Sequence, residues 1–326
     1  MKFSIIMPVY NAEKVLPVSL ESIRAQRFRD FELVFVEDGS TDGTVAVLEA
    51  FAAGADFPCH IVSQPHNGGV AAARNRGLAA ACGEYLAFVD ADDRIEPEAL
   101  EEADAAIRAA GEPVDIVGWD WMLGFEKNGR TMRQADYGTP LQALKNLMGG
   151  TMRWNLWLFA VRRELLTENG IRFIDGANMG EDMMLMLKAF SKAGKVVQLH
   201  KPLYRYNAVS ETSLSRQFSP ERRREISENL EEALKAISAS TYPAELKPYG
   251  NYLKLFLKLP LLISADRANY ETWYGWFPEA NASAMANPAL PLRTRLLQGM
   301  AAKKCWGGVK MYYWLVYKFV YGIIYR

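Results

Sequence analysis

The stretch Phe88-Val-Asp-Ala-Asp-Asp-Arg-Ile95 places three carboxylates in four positions directly behind an apolar run. Like charges at that density repel unless something neutralises them. Asp90 and Asp92 are separated by one residue, so in an extended or turning segment both can face one ligand. A hard divalent cation, Mg2+ or Mn2+, takes carboxylate oxygens and usually keeps substrate phosphate oxygens in its shell. The other reading is a solvated acidic turn, with Asp93 favouring the dipole of a helix that starts near Pro97. An EF-hand is excluded, because position 94 is Arg and the required Gly is absent.

Four short apolar runs, Phe3–Val9, Phe31–Val36, His60–Ser63 and Tyr85–Val89, predict strands. Glu13–Gln26, Val45–Phe51 and Gly69–Ala81 between them have helical spacing, and Pro97–Ala110 follows as a further helix. Ser40, Thr41 and Asp42 are expected N-caps of the second helix. This alternation predicts an open, mostly parallel sheet with helices on both faces. In such sheets ligands bind beyond the carboxyl ends of the strands. Pro8–Asn11, Glu37–Gly43 and Asp90–Asp93 each follow a strand, so the topology brings all three loops to one edge. Beyond them, Asp115–Trp121 predicts a strand, Lys127–Gly129 a turn and Gly180–Ala193 a helix. Val196–Leu199 and Leu203–Tyr206 read as extended, Glu221–Ser238 and Tyr249–Ile263 as helical, and Asn281–Leu292 as a linker.

Two other stretches on that edge carry chemistry. Asp38, after the second strand, can accept from a ribose hydroxyl or a base N–H, although a capping turn would use the same polar residues. In Asn67-Gly-Gly-Val-Ala-Ala-Ala-Arg-Asn-Arg-Gly77 two glycines open a helix whose free N–H groups can face an anion. Arg74 and Arg76 lie in its first turns, where a cation opposes the helix dipole unless something negative is near; Arg76 reads as a surface residue. No GxGxxG and no GxxxxGK[ST] is present, which removes the dehydrogenase and P-loop readings.

The chain has 326 residues, half of them apolar and 23% charged, enough to bury a full core. Cys59, Cys82 and Cys305 are too few and too scattered for a disulfide framework or a thiolate zinc site, which fits a reducing cytosol. The apolar run near the N-terminus stops at Pro8, short of a signal peptide. No uncharged apolar stretch approaches the roughly 18–20 residues of a membrane-spanning helix. Net charge is zero but unevenly spread: Ala280–Arg326 holds seven basic residues and no acid.

Pro8-Val-Tyr-Asn11, Glu37-Asp-Gly-Ser-Thr-Asp-Gly-Thr44, the Asn67–Leu78 stretch, Phe88–Asp93 and Gly180-Glu-Asp182 occur in the order and spacing of family 2 glycosyltransferases. The resemblance covers residues 1–206 at least. It implies a GT-A fold: a nucleotide-sugar-binding mixed sheet with helices on both faces, followed by a mostly α-helical C-terminal extension. It implies a domain over 1–215, with a nucleotide half at 1–110 and an acceptor half at 111–215, and a helical region over 216–326. Carried over by position, Pro8, Val9, Tyr10, Asp38, Arg74, Asp90, Ala91 and Asp92 line the donor site. Asp92 and Asp90 hold Mn2+ or Mg2+, with Asp92 the direct ligand. Asp182 matches the general base, with Glu181 its rival. Trp154 and Asn155, with Glu181, lie beside the acceptor, although core packing is the commoner use of a Trp. Tyr204-Arg205-Tyr206 with Ser210 and Ser213 is similar to the family's closing loop, but Asn207 stands where a base often does. His200 reads as structural.

These readings give a metal-dependent inverting transferase that uses a nucleotide sugar, expected to be a UDP-sugar. The acceptor would be a saccharide or lipid-linked saccharide in surface polysaccharide or glycolipid synthesis. Lys303, Lys310 and Lys318 fall in one sector of a helical wheel, with Trp306, Tyr313, Trp314, Phe319 and Ile323 mostly elsewhere. Such a helix over 293–326 fits an anionic membrane surface, and the expected location is the cytoplasm, peripheral on the inner face of the membrane. Packing of the helix on the catalytic domain is the alternative. Nucleic acid is not expected, since no binding module accompanies the charge. Two competitors remain. A nucleotidyltransferase would carry a Gly-rich basic first loop, which PVYNAEK lacks, and a non-catalytic binding module would not be expected to keep both acidic motifs intact.

Overall fold

Strands one, two and four are short, apolar and buried, as inner strands of a parallel sheet covered on both faces must be, while the third, at the sheet edge, is only partly buried. A computed structural model of the chain describes residues 1–124, 129–207 and 218–320. The chain divides into two compact units, Met1–Ala143 with Trp154–Thr241, and Leu144–Arg153 with Tyr242–Arg326.

The first unit opens with β1 (Phe3–Val9), α1 (Leu16–Arg24), β2 (Phe31–Glu37), α2 (Thr44–Ala53), β3 (Cys59–Ser63), α3 (Val70–Ala80) and β4 (Tyr85–Phe88). It continues with β5 (Arg94–Ile95), α4 (Ala99–Ala109), β6 (Ile116–Gly124) and β7 (Gly129–Met132). After α5 (Pro140–Gly149), whose chain runs into the second unit, come β8 (Phe159–Arg162), α6 (Arg163–Glu168), α7 (Glu181–Lys192), β9 (Val196–Asn207) and α8 (Pro220–Ser238). The sheet order is β3-β2-β1-β4-β8-β6-β9-β5, with β7 on β6. β3, β2, β1 and β4 are parallel, as their spacing predicts, so their carboxyl ends share one edge. The remainder is mixed: β8 is antiparallel to β4 and β6, while β6 and β9 are parallel. The two extended segments predicted at 196–206 are one strand, whose pairing with β6 shifts register around Asp120.

Two features of this unit position the site. β4 leaves β1 after the pair Ile6–Phe88, so β1 runs on beyond its neighbour and a cleft opens between their ends. α3 lies close on β1 and β2 because Gly77 has no side chain: a Cβ there would run into Ile6 and press on Val36. Gly77→Ala is therefore expected to cost about 1–3 kcal/mol by overpacking. Urea unfolding would measure this, and an unchanged midpoint would contradict the close approach.

The caps differ from the expectation. Gly43 occupies the N-cap of α2, and Asp42 accepts from the Thr44 amide at 3.0 Å. Ser40 and Thr41 instead pin the loop after β1, through Asn11 N to Ser40 Oγ at 3.1 Å and Thr41 N to Asn11 Oδ1 at 2.8 Å. Asn11 sits at φ +47°, a left-handed position that asparagine tolerates better than most residues.

The second unit is helical: α9 (Pro243–Leu246), α10 (Tyr249–Lys258), α11 (Arg267–Gly275), α12 (Leu292–Ala302) and α13 (Trp306–Tyr312), then a π-helical stretch Tyr313–Val320. The predicted linker at 281–292 is packed structure, with Ala284, Asn287 and Leu290 buried and Asn287 Nδ2 donating to Gly149 O at 2.9 Å. The single amphipathic helix expected from residue 293 is broken at Lys303–Cys305, where Lys304 takes φ +55°, so Lys303 and Lys310 do not share one helix face. The side chains of Lys318 and Phe319, together with Ile323 and Lys127–Asn128, lie outside the described residues.

Candidate active site

Six chain segments meet at the carboxyl edge of the parallel strands. Asp38, the first residue past β2, is buried, and its oxygens are taken: Oδ1 by Gln64 Nε2 (2.7 Å) and the Gly68 amide (2.8 Å), Oδ2 by the Gly69 amide (3.0 Å). The Ala71 amide donates to Asn178 Oδ1 at 3.0 Å. The Gly68, Gly69 and Ala71 amides at the start of α3 are thus engaged by Asp38, Asn67 and Asn178 instead of facing an anion. Gly69, at φ +85°, lies so close to Asn178 that any side chain would collide with it. Val9 is buried and its carbonyl accepts the Asp38 amide at 2.9 Å.

Pro8, Tyr10, Ala91 and Asp92 line a cleft of about 580 Å³ with Asn11–Val15 and Asp42. Tyr10 is an exposed aromatic wall. Asp92 has no hydrogen-bond or ion-pair partner among the described residues, so its carboxylate is open to the cleft.

Behind the cleft Arg74 is buried, and it joins the two acidic motifs. Its Nη1 donates to Asp182 Oδ1 at 2.6 Å and to Glu181 Oε1 at 2.8 Å, and its Nη2 reaches Asp90 Oδ1 at 3.4 Å. Burial opposes its charge, but Asp182, Glu181 and Asp90 outweigh that and hold the proton more firmly than usual. One guanidinium cannot neutralise three carboxylates. Burial, with Asp182 and Asp92 nearby, pushes Asp90 up to about 6 despite Arg74. Burial and then Asp182 push Glu181 up to about 8. Burial and then Asp90 push Asp93 up to about 8.

Glu181 and Asp182 form the first turn of α7, after Gly180 at φ +81°. Asp182 Oδ2 also accepts the Leu156 amide at 3.3 Å, so the segment holding Trp154 and Asn155 reaches the predicted base through its backbone. α8 supports this turn: Asn229 Nδ2 donates to Ala177 O and Met179 O at 3.0 and 2.9 Å, and Glu225 accepts the Asn178 amide. α8, which packs on α7, belongs to the first compact unit.

Two readings are corrected. Asp93 does not face a helix start; it is buried and accepts from Tyr204 Oη at 2.8 Å and the Asn207 amide at 2.7 Å. Tyr204 is therefore a core residue that ties β9 to the acidic corner, and the buried Trp157 stacks on it at 4.5 Å. His200, read as structural, lies 3.6 Å from Asp120 and 3.3 Å from Asp136, with Arg133 at 3.2 Å. Arg76 is exposed, as expected. Ser210 and Ser213 lie outside the described residues.

The donor set suits a small hard cation. Asp90 and Asp92 offer carboxylate oxygens in a corner with more negative charge than Arg74 offsets, and Asp92 is unengaged. No three His, Cys, Asp or Glu side chains converge in ligating geometry among the described residues. The protein would supply one or two carboxylates, and phosphate oxygens and water the rest.

A parallel half-sheet ending in an acidic corner beside a cleft, joined to a second carboxylate pair, defines a GT-A glycosyltransferase. The model of Glycosyl transferase family 2 matches residues 4–184, and the chain belongs to that family. The glycosyltransferase EpsH of Bacillus subtilis is 32% identical over 211 residues, 62% of this chain and 60% of that protein. The Staphylococcus aureus poly(ribitol-phosphate) beta-N-acetylglucosaminyltransferase TarS is 33% identical over 211 residues, 63% of this chain and 35% of that one. The chain thus spans about 60% of the length of EpsH and less of TarS. The crystal structure of TarS 1–349 with UDP-GlcNAc matches the fold with a TM-score of 0.73 at 22% identity, over 96% of this chain and 90% of that one. The mannosyltransferase PcManGT of Pyrobaculum calidifontis, in complex with GDP-Man and Mn2+, matches at 0.55 and 21% identity, over 96% and 84%.

Proposed function

We propose that this glycosyltransferase is metal-dependent and inverting, and moves a sugar from a UDP-sugar to a saccharide or lipid-linked saccharide in surface polysaccharide or glycolipid synthesis. The observation that carries the reading is the Arg74 bridge. It holds Asp182 and Asp90 on one guanidinium, while Asp92 faces the cleft. Inversion is a single displacement. The acceptor hydroxyl oxygen bonds to the anomeric carbon as the bond from that carbon to the diphosphate oxygen breaks. The hydroxyl proton passes to a carboxylate, and the nucleoside diphosphate leaves with the electron pair. The base must therefore stand across the sugar from the leaving group, within hydrogen-bond reach of the acceptor.

Asp182 is the base in this reading. Glu181, pushed up to about 8, keeps its proton at neutral pH and is a poor acceptor of another. Tyr10 and Pro8 would wall the nucleotide in the cleft. Mn2+ or Mg2+ held by Asp92 and Asp90 would supply counter-charge for the departing diphosphate. The nucleotide sugars bound to TarS and PcManGT support a nucleotide-sugar donor, the name of TarS supports a polymeric acceptor, and the Mn2+ of PcManGT supports a cation. A lipid-linked acceptor would place the chain peripherally on the cytoplasmic face of a membrane.

Heat denaturation with a panel of UDP-, GDP- and dTDP-sugars, with and without Mn2+, tests the donor and the cation together. A donor at a hundred times its Kd should stabilise the fold by about 2.7 kcal/mol. That gain should appear for a UDP-sugar and require the cation. No shift with any nucleotide sugar in Mn2+ would overturn the donor reading.

A further inference from the structure

The helical second unit carries an outward strip of apolar side chains. Leu292 and Leu296 on α12, and Met311, Trp314 and Leu315 on and after α13, are each 48–61% exposed. Two glycines join the strip. Met285 Sδ lies over Gly299, 2.8 Å from where a Cβ would sit, one turn beyond Leu296, and Met300 Sδ lies over Gly308 at 2.7 Å, one turn before Met311. The Met300 thioether thus bridges the step from α12 to α13, and the Met285 thioether caps α12 beside it.

The opposite faces do the packing. Leu297, Ala301 and Val309 are buried, Trp306 stacks on Tyr270 at 5.8 Å, and Lys304 Nζ sits 4.2 Å from the Tyr274 ring centre. The exposed strip is not needed for that core. Arg293, Lys303 and Lys310 are exposed on the same helices and the turn between them, and no acid occurs from Ala280 to the end of the chain.

We propose that this strip rests on an anionic lipid bilayer. The leucines and methionines would enter the acyl boundary, Trp314 would sit at headgroup depth, and the bases would meet lipid phosphates. Charge complementarity selects this occupant over a protein. Lysine is depleted in the cores of protein interfaces, whereas here it accompanies the apolar residues with no acid to balance it. The proposal deepens the peripheral-membrane part of the proposed function and is independent of donor, cation and base.

The test is flotation of the full chain with phosphatidylcholine vesicles, with and without phosphatidylglycerol. Binding is expected only with the anionic lipid, and it should be released as salt rises. Met311→Ser with Leu315→Ser should weaken partitioning at least about tenfold. Lys303→Gln with Lys310→Gln should weaken it and flatten its salt dependence. Both variants change exposed side chains, so their unfolding midpoints should match the parent. Equal binding to neutral vesicles, or no binding, would overturn the proposal. So would a dimer, seen by light scattering, that the Met311→Ser, Leu315→Ser pair disrupts, since the strip would then cover a second copy. None of these outcomes bears on transfer, so the glycosyltransferase reading stands or falls separately.

Discussion

Asp182→Asn is expected to abolish sugar transfer while leaving donor binding intact. A positioned base contributes about 10²–10⁴-fold to such a step, and kcat should fall by that much. The geometry makes the variant clean. Asparagine keeps the shape of the side chain, and its carbonyl oxygen can stay on Arg74, where the charge-assisted bond is 2.6 Å. Its amide then faces the Leu156 N–H, so only the longer 3.3 Å bond is lost. The cleft residues around Tyr10 and Asp92 lie in other segments, so the heat-denaturation shift with donor and Mn2+ should match the parent. Turnover within a few-fold of the parent would remove Asp182 as the base. Glu181→Gln is the paired control. Burial keeps Glu181 protonated to about pH 8, and Gln mimics that form, so transfer at neutral pH should survive. The raised pKa also means the native state holds a proton that the unfolded chain releases near the ordinary glutamate value. Stability therefore falls as pH rises from about 4.5 to about 8, and the Gln variant should lose that slope. A parent and a Gln variant with the same pH slope would show that Glu181 is ionised in the fold.

Much of this site was legible because strands end where apolar runs end. The loops at Pro8, Glu37 and Asp90 each follow such a run, and parallel pairing carries all three to one edge. Proximity between distant elements was not legible in the same way. Arg74 showed only as a cation in the wrong place on a helix, a sign that something negative was near. Its partners Glu181 and Asp182 are 107 and 108 positions away, and only packing of α3 beside α7 reveals them. Asp93 looked like a helix-facing acid because its real partners, Tyr204 and Asn207, sit on a strand read in two pieces. Nothing in the sequence marks Trp157 as the ring that stacks on Tyr204, 47 positions away. The helix drawn through 303–318 on a wheel failed for a local reason, since periodicity cannot register one left-handed residue at Lys304.

Arg74→Ala should give the largest loss of stability of any single change in the site. Removing one partner of a buried ion pair costs about 3–5 kcal/mol, because the remaining charge keeps its desolvation penalty. Here Asp182 and Asp90 would lose the cation that offsets them, beside a Glu181 that already holds a proton at neutral pH. Two effects compete after the substitution. Repulsion would loosen the contact between α3 and α7, while proton uptake by the carboxylates would relieve it. Protonation is easier at low pH, so the deficit should be small near pH 5 and grow towards pH 8. The sign follows from Asp90 and Glu181, which are already raised with the guanidinium present and rise further without it. The native variant then binds more protons than the unfolded chain, and its stability falls with pH more steeply than the parent's. Arg74→Lys should recover only part of the loss. One ammonium cannot place donors on Asp90 at 3.4 Å and on Glu181 and Asp182 at 2.8 and 2.6 Å as the planar fork does. Urea unfolding of both variants at the two pH values measures all of this. A deficit for alanine below about 1 kcal/mol at pH 8, the value of an exposed pair, would mean that water reaches the corner and that Arg74 does not hold the two motifs together.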